Sequence, residues 1–350
     1  MKKKIGIAIM GGTGYGAGEL LRCLCQHPEA QVAAVTSSSS AGTSVSAAHP
    51  HLRRFYELSF EKELDFGKLS SFEQSVIFTA LPHGTSAKVI SSLLPQAQER
   101  GTKIIDLSGD LRLRDQALRK EHYPETEVEQ AVVDSFVFGL TELYRSQIAS
   151  AQFVTNPGCL ASGCILAAAP LVASYAIDCL HLDAKTGSSG AGKTPQTEFH
   201  HPELHGNTWA YKVLSHRHEP EIMQALSDCA GKQVSGTFVP HVIPLSRGIY
   251  VTMHAQLKHE VSTSDLLARY RQFYEGSPFI RVGSHVPQLH HVVLSNFCDI
   301  TVTARGRQVI AISALDNLVK GMVGKAIQSM NVMCGLPEEE GLWQPAPGPM

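Results

Sequence analysis

Apolar residues form short runs along the first half of the chain, and stretches with helical spacing separate these runs. Residues 5–10 are apolar and have the length of a buried parallel strand. Residues 19–25 carry helical spacing until His27-Pro28 ends the predicted helix. Further buried strands are predicted at residues 31–36, 75–80 and 103–107. Because strands and helices alternate, this pattern predicts an α/β fold with a doubly wound parallel sheet.

The second half of the chain has a different pattern. Residues 250–257 alternate between apolar and polar, which is typical of a strand with one face in water, and residues 180–185 form a weaker strand candidate. Apolar positions recur at helical spacing up to residue 333, and we take this helix as residues 316–335. We expect it to pack on the first half of the chain, because its apolar face otherwise lacks a partner.

Composition limits the possible classes of protein. A chain of 350 residues predicts about two domains. Thirty basic and 32 acidic residues give a formal charge of −2, which argues against nucleic acid or an anionic membrane as a partner. Eight cysteines without a CxxC pair indicate a reducing compartment. No apolar run reaches the ~18 residues of a membrane span, so we predict a soluble cytoplasmic protein.

A glycine-rich loop separates the first predicted strand from the first predicted helix. This context favours binding of a pyrophosphate by the residues Gly11, Thr13, Gly14, Tyr15, Gly16 and Ala17. A glycine turn without a phosphate is the alternative. The second strand ends at Ser37 and Ser38, where an NAD site usually has an acidic residue. Serines there suit the 2′-phosphate of NADP, unless this segment is simply a flexible loop.

Two later strands end in segments that doubly wound sheets use for ligand contact. Leu81, Pro82 and His83 follow the third strand, and Arg112 lies in the segment after the fourth.

Cys159 lies in the segment Asn156-Pro157-Gly158-Cys159, just before a run of small residues with helical character. A helix N-terminus lowers the pKa of a thiol and favours the thiolate nucleophile. Together with an upstream dinucleotide site, this cysteine predicts oxidoreduction through a covalent thioester. The alternative is a small buried thiol with a structural role only.

His216 and His218 are candidates for moving the proton that a cysteine enzyme needs. Histidine pairs here also have metal-like spacing, as does His200-His201-x3-His205, but no cysteine pair accompanies them, and we predict no metal. The segment Gly187-x4-Gly192-Lys193-Thr194 matches the sequence pattern of a Walker A loop. A helix follows such a loop, and Pro195 argues against a helix here. Arg247, before Gly248, suits bidentate recognition of an anion.

Taken in order, these segments resemble the N-acetyl-γ-glutamyl-phosphate reductase family over nearly the whole chain. The resemblance rests on Gly11 to Leu21, Leu81-Pro82-His83-Gly84, Ile105-Asp106-Leu107-Ser108, Asn156-Pro157-Gly158-Cys159, Ser189-Gly190-Ala191-Gly192, His216-Arg217-His218, Ile243-Pro244 with Arg247-Gly248, and Asp316-Asn317-Leu318-Val319-Lys320-Gly321. It implies a Rossmann-type NADP-binding domain over residues 1–157, completed by the helix at 316–335. A second, glyceraldehyde-3-phosphate-dehydrogenase-like α+β domain over 158–315 is implied to hold the catalytic and oligomerisation surfaces of a homotetramer or dimer.

The resemblance also implies the chemistry and the residues that perform it. An NADP(H)-dependent, phosphorylating aldehyde oxidoreductase would use Cys159 as nucleophile, with His218 or His216 as general acid. Further cofactor contacts are implied for Ser189, Gly190 and Asn317. Contacts with the acyl phosphate substrate and its phosphate are implied for Arg112, Asn156, Ser188 and Arg247.

The chain departs from the family pattern after the cysteine, with Leu160-Ala161-Ser162 where an aromatic residue and Pro-Thr are usual. N-acetylaminoadipyl phosphate and aspartyl phosphate are therefore alternative substrates for the same chemistry. A cysteine–histidine hydrolase and a non-catalytic NADP-sensing protein are alternatives from other classes.

Overall fold

The backbone groups into two units, and the chain passes from one to the other after Pro157, after Gly321 and after Trp343. The structure, a computed structural model, describes residues 4–349. One unit comprises Met1–Pro157 and Met322–Trp343, and the other comprises Gly158–Gly321 and Gln344–Met350.

The first unit is built around a sheet of six parallel strands in the order β2-β1-β3-β4-β6-β5. Its elements are β1 (Ile5–Met10), α1 (Tyr15–Leu24), β2 (Ala30–Thr36), α2 (Val45–Ala48), β3 (Gln74–Thr79), α3 (Thr85–Arg100), β4 (Lys103–Asp106), α4 (Gln116–His122), α5 (Gln130–Asp134), β5 (Val137–Phe138), α6 (Thr141–Ser150) and β6 (Phe153–Thr155). The continuous apolar runs of β1, β3 and β4 are buried, as expected for strands covered on both faces. The predicted α/β class and its parallel sheet are confirmed.

Helix α1 begins four residues earlier than the sequence pattern indicates. Its N-cap is Gly14, and its first turn contains Gly16 and Gly18, which have no apolar side chain to contribute to a periodic pattern. A Cβ added at Gly18 would lie 2.5 Å from the His49 ring, so close packing requires glycine inside this helix.

The second unit has a mixed sheet of seven strands in the order β11-β12-β13-β10-β7-β9-β8. Its elements are α7 (Cys159–Ser174), β7 (Ile177–Thr186), α8 (His201–Leu204), β8 (Trp209–Ala210), α9 (His218–Ala230), β9 (Thr237–Val242), β10 (Ile249–Leu257), α10 (Thr263–Phe273), β11 (Ile280–Val282), β12 (Cys298–Arg305) and β13 (Gln308–Leu315). Strand β10 pairs antiparallel with both β7 and β13, while β7 and β9 run parallel.

Helix α7 is the buried centre of the second unit. It packs on β7, β10 and β13 and against α9 and α10, and every residue from Leu160 to Val172 is buried. A helix that is apolar on all sides must be enclosed by other elements. Side chains also donate to its main-chain carbonyls: Tyr270 to Ala167 at 2.8 Å and Ser313 to Gly163 at 2.9 Å.

The C-terminal helix departs from the predicted range at both ends. Residues 316–318 are not helical, and a π-helical turn over Val319–Val323 precedes α11 (Gly324–Met333). The carboxylate of Asp316 accepts the N–H groups of Leu318 and Val319, so this aspartate lies before the helix and caps it. Gly335 has a φ of 73°, a left-handed conformation that ends helices. The prediction of helix over 316–335 was therefore wrong at its boundaries.

Helix α11 belongs to the first unit, where it packs on α6 and β4. Gln328 donates to the carboxylates of Glu142 and Glu338, and the buried Lys325 donates to the carbonyl oxygen of Pro157 at 2.8 Å. Buried polar side chains thus bind this helix, in which every residue except Val332 is buried, to the rest of the first unit.

Neither a membrane span nor a cluster of metal-ligating side chains is found within residues 4–349. No helix in that range has both the length and the apolar character needed to cross a bilayer. No three side chains of the metal-ligating types come together there as a metal site.

Candidate active site

Cys159 is the first residue of helix α7, a helix of 16 residues. The N-cap is Gly158, no side chain caps the helix there, and its first turn contains no acidic residue. Cys159 is partly exposed although its neighbours Gly158 and Leu160 are buried. The first N–H groups of a helix have no partner within it and concentrate partial positive charge. A partly exposed thiol at this position has the setting of a nucleophile.

Two side chains from the first turn of α9 contact Gly158. The carboxylate of Glu221, which is fully buried, accepts the Gly158 N–H at 2.6 Å. A Cβ added at Gly158 would lie 2.2 Å from Nε2 of His218, so the imidazole fills the space that any other residue would need. His218 and Glu221 are three positions apart and therefore lie on one face of α9.

His216 has a different environment from His218. Its Nδ1 accepts the main-chain N–H of His218 at 3.0 Å, so neutral His216 carries its proton on Nε2. The two imidazoles meet edge to face at 4.6 Å between centroids, and the rings of Tyr211 and Phe238 pack on His216. His216 thus fixes the backbone at the start of α9, while His218 faces the residue before Cys159.

Tyr211 lies within electrostatic reach of Cys159. Burial raises the pKa of the Tyr211 phenol, and the charge of the Cys159 thiolate raises it further. The phenol therefore stays protonated at neutral pH and remains a hydrogen-bond donor. Sequence reasoning did not select Tyr211, since a single tyrosine before the histidines gives no periodic or motif signal.

The loop after β7 and the segment before β10 form one structure. Ser188 and Ser189 donate their main-chain N–H groups to the carbonyl oxygens of Leu245 and Ser246. A Cβ added at Gly187 would lie 2.7 Å from the main-chain nitrogen of Arg247. A 3₁₀ turn over Ser188–Ala191 follows β7, and no P-loop helix begins after it. The predicted residues Ser188, Ser189 and Arg247 are thus neighbours.

Asp316 and Asn317 connect this structure with Cys159. Asn317 donates to the hydroxyl of Ser189 at 2.8 Å and accepts the N–H of Gly248 at 2.8 Å. The Asp316 main-chain carbonyl accepts the N–H of Gly321 at 2.8 Å. A Cβ added at Gly321 would lie 2.9 Å from Cβ of Cys159, so this glycine packs directly on the nucleophile candidate.

The glycine-rich loop of the first unit has the form that phosphate sites use. Gly11 has a φ of 83°, and a Cβ there would lie 2.5 Å from the carbonyl oxygen of Ala80. No side chain caps α1 at Gly14, and its first turn contains no acidic residue. A helix start of this kind binds an anion through its main-chain N–H groups. Thr13, Tyr15, Gly16 and Ala17 belong to the same turn.

The end of β2 carries serines and no acidic side chain. Ser37 is buried, with its N–H donated to the carbonyl oxygen of Glu61, and Ser38 is exposed. The two residues thus occupy the edge of the sheet where a ribose would lie in a doubly wound fold.

Helix α3 begins differently from α1, although both follow a parallel strand. The buried carboxylate of Asp110 accepts the N–H groups of Gly84 and Ala87 and the hydroxyl of Thr126. Burial alone raises the pKa of Asp110, but its hydrogen bonds, including that with His83, outweigh burial and lower the pKa below 3.8. This N-terminus already holds an anion from the chain itself. Leu81 and Pro82 precede it, and His83 also accepts the N–H of Gly109 at 3.0 Å.

Arg112 and Asn156 lie in the first unit. Arg112 is buried and donates to the carbonyl oxygen of Leu107 at 3.1 Å. Asn156 is fully buried, and its amide nitrogen donates to the carbonyl oxygen of Met322 at 3.0 Å. Its side-chain oxygen has no donor among the described residues, which is unusual for a buried polar atom and suits a ligand contact.

Two family models match: the semialdehyde dehydrogenase NAD-binding domain over residues 6–151, and the semialdehyde dehydrogenase dimerisation domain over residues 159–317. The first of these matches supports a nicotinamide cofactor for this chain, and the second supports assembly into an oligomer.

Solved structures show the same fold at low sequence identity. Aspartate semialdehyde dehydrogenase II of Vibrio cholerae, solved as a complex with ASA, superposes with a TM-score of 0.71 at 14% identity, covering 95% of this chain and 99% of that one. The enzyme of Candida albicans, solved with NADP, superposes with a TM-score of 0.65 at 14% identity. Its match covers 95% of this chain and 99% of that chain.

Curated relatives are much closer in sequence. N-acetyl-gamma-glutamyl-phosphate reductase of Methanosarcina barkeri is 43% identical over 343 residues, which cover 97% of this chain and 98% of the relative. The reductase of the same name from Symbiobacterium thermophilum is 42% identical over 350 residues, or 98% and 99% of the two chains. Identity at this level over the full length confirms the resemblance in the motifs. The chain belongs to the N-acetyl-γ-glutamyl-phosphate reductase family.

Proposed function

We propose that this chain catalyses the reductive dephosphorylation of N-acetyl-L-glutamyl 5-phosphate to N-acetyl-L-glutamate 5-semialdehyde, the reductive step of arginine biosynthesis, with NADPH as reductant. The observation that carries the proposal is Cys159 at the open N-terminus of α7, with His218 packed on the preceding glycine, in a chain more than 40% identical to reductases of that name.

The residues of the first unit fit an NADP molecule. The uncapped start of α1 and the close backbone approach at Gly11 suit a pyrophosphate. The hydroxyl groups of Ser37 and Ser38 are proposed to contact a 2′-phosphate, where a carboxylate would repel it. When bound, the cofactor supplies the hydride that reduces the acyl group. Leu81, Pro82 and His83 are proposed to contact it, as are Ser189, Gly190 and Asn317.

In the first half of the reaction, the Cys159 thiolate attacks the acyl carbon and phosphate leaves, which gives a thioester. Main-chain N–H groups at the start of α7 stabilise the oxyanion that forms during the attack. Loss of one such donor typically raises the barrier by about 3–4 kcal/mol. Ser188 and Arg247 hold the anionic groups of the substrate, and Arg112 and Asn156 are proposed to do so as well.

In the second half, reduction of the thioester gives a thiohemiacetal. This thiohemiacetal collapses to the aldehyde, and the Cys159 thiolate leaves. His218 moves the protons of both halves as general acid and base. Its Nε2 is directed at Gly158, whereas His216 is occupied in holding the main-chain N–H of His218. This difference supports His218 for the proton transfer and His216 for its placement.

The reverse reaction tests the substrate. Purified protein is mixed with NADP⁺, phosphate and N-acetylglutamate 5-semialdehyde, and the absorbance of NADPH is followed. We expect phosphate-dependent reduction of NADP⁺, with much weaker reduction of NAD⁺. Activity only with aspartate semialdehyde or N-acetylaminoadipate semialdehyde would keep the chemistry and contradict the substrate. No activity with any of the three would contradict the function.

We further propose that the protein is a cytoplasmic homo-oligomer, either a dimer or a tetramer. The match of residues 159–317 to a dimerisation domain supports assembly. Light scattering coupled to size-exclusion chromatography gives the mass, and a monomer at micromolar concentration would contradict the proposal.

A further inference from the structure

Asp316 is the most heavily used carboxylate near Cys159. It follows β13 directly and is fully buried. Its Oδ1 accepts the N–H groups of Leu318 and Val319, each at 2.8 Å, as a helix cap does. Its Oδ2 accepts the N–H of Leu294 at 2.7 Å, and Nη1 of Arg247 lies 3.4 Å from Oδ2 and 3.5 Å from Oδ1. A cap requires only the contacts with Leu318 and Val319, so the contacts with Leu294 and Arg247 need their own explanation.

The contacts with Arg247 and Leu294 involve two different parts of the second unit. Arg247 is the predicted anion-binding guanidinium, and its side chain is 22% exposed. Leu294 has a φ of 65°, a left-handed conformation that is strained for a side chain of its size. Such strain persists only when surrounding contacts impose it, and the Asp316 carboxylate supplies one of them.

The main chain of Asp316 holds the nucleophile side. Its carbonyl oxygen accepts the N–H of Gly321, and Gly321 packs on Cys159. π-helical turns such as Val319–Val323 are rare and occur frequently at functional sites. A single buried residue therefore contacts both the guanidinium of Arg247 and the turn against which Cys159 rests.

We propose that Asp316 is a positioning residue, which fixes the guanidinium of Arg247 relative to Cys159 so that an anionic group of the substrate is held beside the thiol. The inference rests on the proposed function, since it assigns Arg247 an anion of that substrate. Asp316 itself touches neither substrate nor cofactor in this role.

Asp316→Asn separates the cap from the positioning role. The amide oxygen can still accept from Leu318 and Val319, but its NH₂ group then faces the N–H of Leu294 and the guanidinium, which are both donors. We expect the KM for the aldehyde or for phosphate to rise about tenfold or more, because misplacement of a binding group by about 1 Å has effects up to 10²-fold. The KM for NADP⁺ should stay within twofold.

Asp299→Asn is the matched control. It makes the same substitution in another Asp–Arg pair of the second unit, in which Arg281 donates to Asp299 at 2.5 Å. All kinetic constants of this control should stay within twofold. If Asp316→Asn is folded and its KM values also stay within twofold, the positioning role is wrong. A double-mutant cycle sharpens the test: Asp316→Asn should raise KM much less in an Arg247→Gln background than alone.

A second readout does not require turnover. Inorganic phosphate is expected to slow the alkylation of Cys159 by iodoacetamide, and the phosphate concentration that halves the rate should rise about tenfold in Asp316→Asn. Equal protection in wild type and variant, or no protection in wild type, would overturn the inference even if the reductase activity is confirmed. Conversely, an inactive wild type with the expected shift in protection would contradict only the proposed function. Should Asp316→Asn fail to fold, Asp316→Glu keeps the charge, and an unchanged KM in that variant contradicts the role.

Discussion

Helices α3 and α7 are both 16 residues long, and each begins after a glycine, yet their N-termini differ in what the chain places there. At α3, the buried carboxylate of Asp110 accepts the N–H groups of Gly84 and Ala87. At α7, no side chain caps the helix, and Cys159 is its first residue. The carboxylate of Glu221 binds the N–H of Gly158, one residue before the helix.

The difference shows how one physical feature serves two purposes. The positive end of a helix attracts an anion in both cases. Where the chain supplies the anion itself, the result is stability. Where the chain supplies a thiol, we propose that the same charge favours its thiolate.

The largest effect is expected for Cys159→Ser. A hydroxyl at neutral pH is a much weaker nucleophile than a thiolate, so phosphate-dependent turnover should fall by at least about 10³-fold while NADP⁺ still binds. Coupled absorbance assays and cofactor fluorescence titration measure the two properties. Cys229→Ser is the control, because burial, with the Asp228 charge, raises the pKa of the Cys229 thiol to about 11. Full activity of the Cys159 variant would end the covalent mechanism.

Gly158→Ala is expected to have the next largest effect. The added methyl group would meet the His218 imidazole at 2.2 Å, so either the ring or the start of α7 must move. Displacement by about 1 Å predicts a loss of kcat of about 10²-fold. Gly283→Ala is the matched control, since a Cβ there has no neighbour closer than 3.9 Å and should leave kcat unchanged. Equal kcat values for the two variants would show that His218 does not need its present position.

Asp110→Asn should act on stability. An amide cannot accept all the hydrogen bonds that the buried carboxylate accepts, so the free energy of unfolding should fall by about 1–3 kcal/mol at pH 7. Asp115→Asn is the control, because Asp115 is an exposed cap of α4 and asparagine caps nearly as well. Urea denaturation gives both values.

The same variant has an expected pH dependence. The pKa of Asp110 is lower in the folded than in the unfolded chain. The carboxylate therefore makes its full contribution to the free energy of unfolding at pH values above the unfolded pKa of about 3.8. This contribution is lost as the pH falls through the lower folded pKa. The difference in the free energy of unfolding between wild type and Asp110→Asn should therefore be constant from pH 7 to 5 and shrink below pH 4. A difference that grows toward acid pH would contradict the assignment.

The smallest effect is expected for the glycines at the two ends of α3. Gly84 and Gly101 both have a left-handed φ, of 75° and 65°. At Gly101 a Cβ meets nothing within 4 Å, so Gly101→Ala should cost only the backbone strain, about 1 kcal/mol. At Gly84 a Cβ would lie 2.9 Å from the Glu125 carbonyl oxygen, so Gly84→Ala should cost more. Thermal unfolding of both variants measures the difference, and equal midpoints would contradict it.

Sequence patterns predicted the parts of the fold that depend on neighbours in the chain. The strand at Ile5–Met10 was predicted correctly to the residue, because a buried parallel strand is apolar throughout. The start of a helix at Cys159 was indicated by Pro-Gly before small residues. The helix over 316–335 had wrong boundaries, because apolar periodicity cannot distinguish a capping aspartate and a π-helical turn from helix.

Contacts between distant segments were not predictable in the same way. The contact of Glu221 with Gly158 joins residues 63 positions apart, and it exists because α9 packs on α7. In the sequence, Asp316 was recognised only as one position of a family motif. Its contacts with Arg247 and Leu294 could not be predicted, because they depend on the order of strands β13 and β10 in the sheet. The spacing that places Glu221 on the same helix face as His218 was the sequence signal that could have identified Glu221 as a site residue.

The burial of α7 from Leu160 to Val172 has a consequence for motion. A helix enclosed on all sides, with Tyr270 and Ser313 bonded to its carbonyls, should exchange its amide hydrogens with deuterium only when the whole second unit opens. Cys159 is therefore attached, partly exposed, to an element that we expect to exchange slowly. Local fluctuations of the surrounding loops can admit or release small molecules, while the sulfur atom keeps its place until the unit itself unfolds.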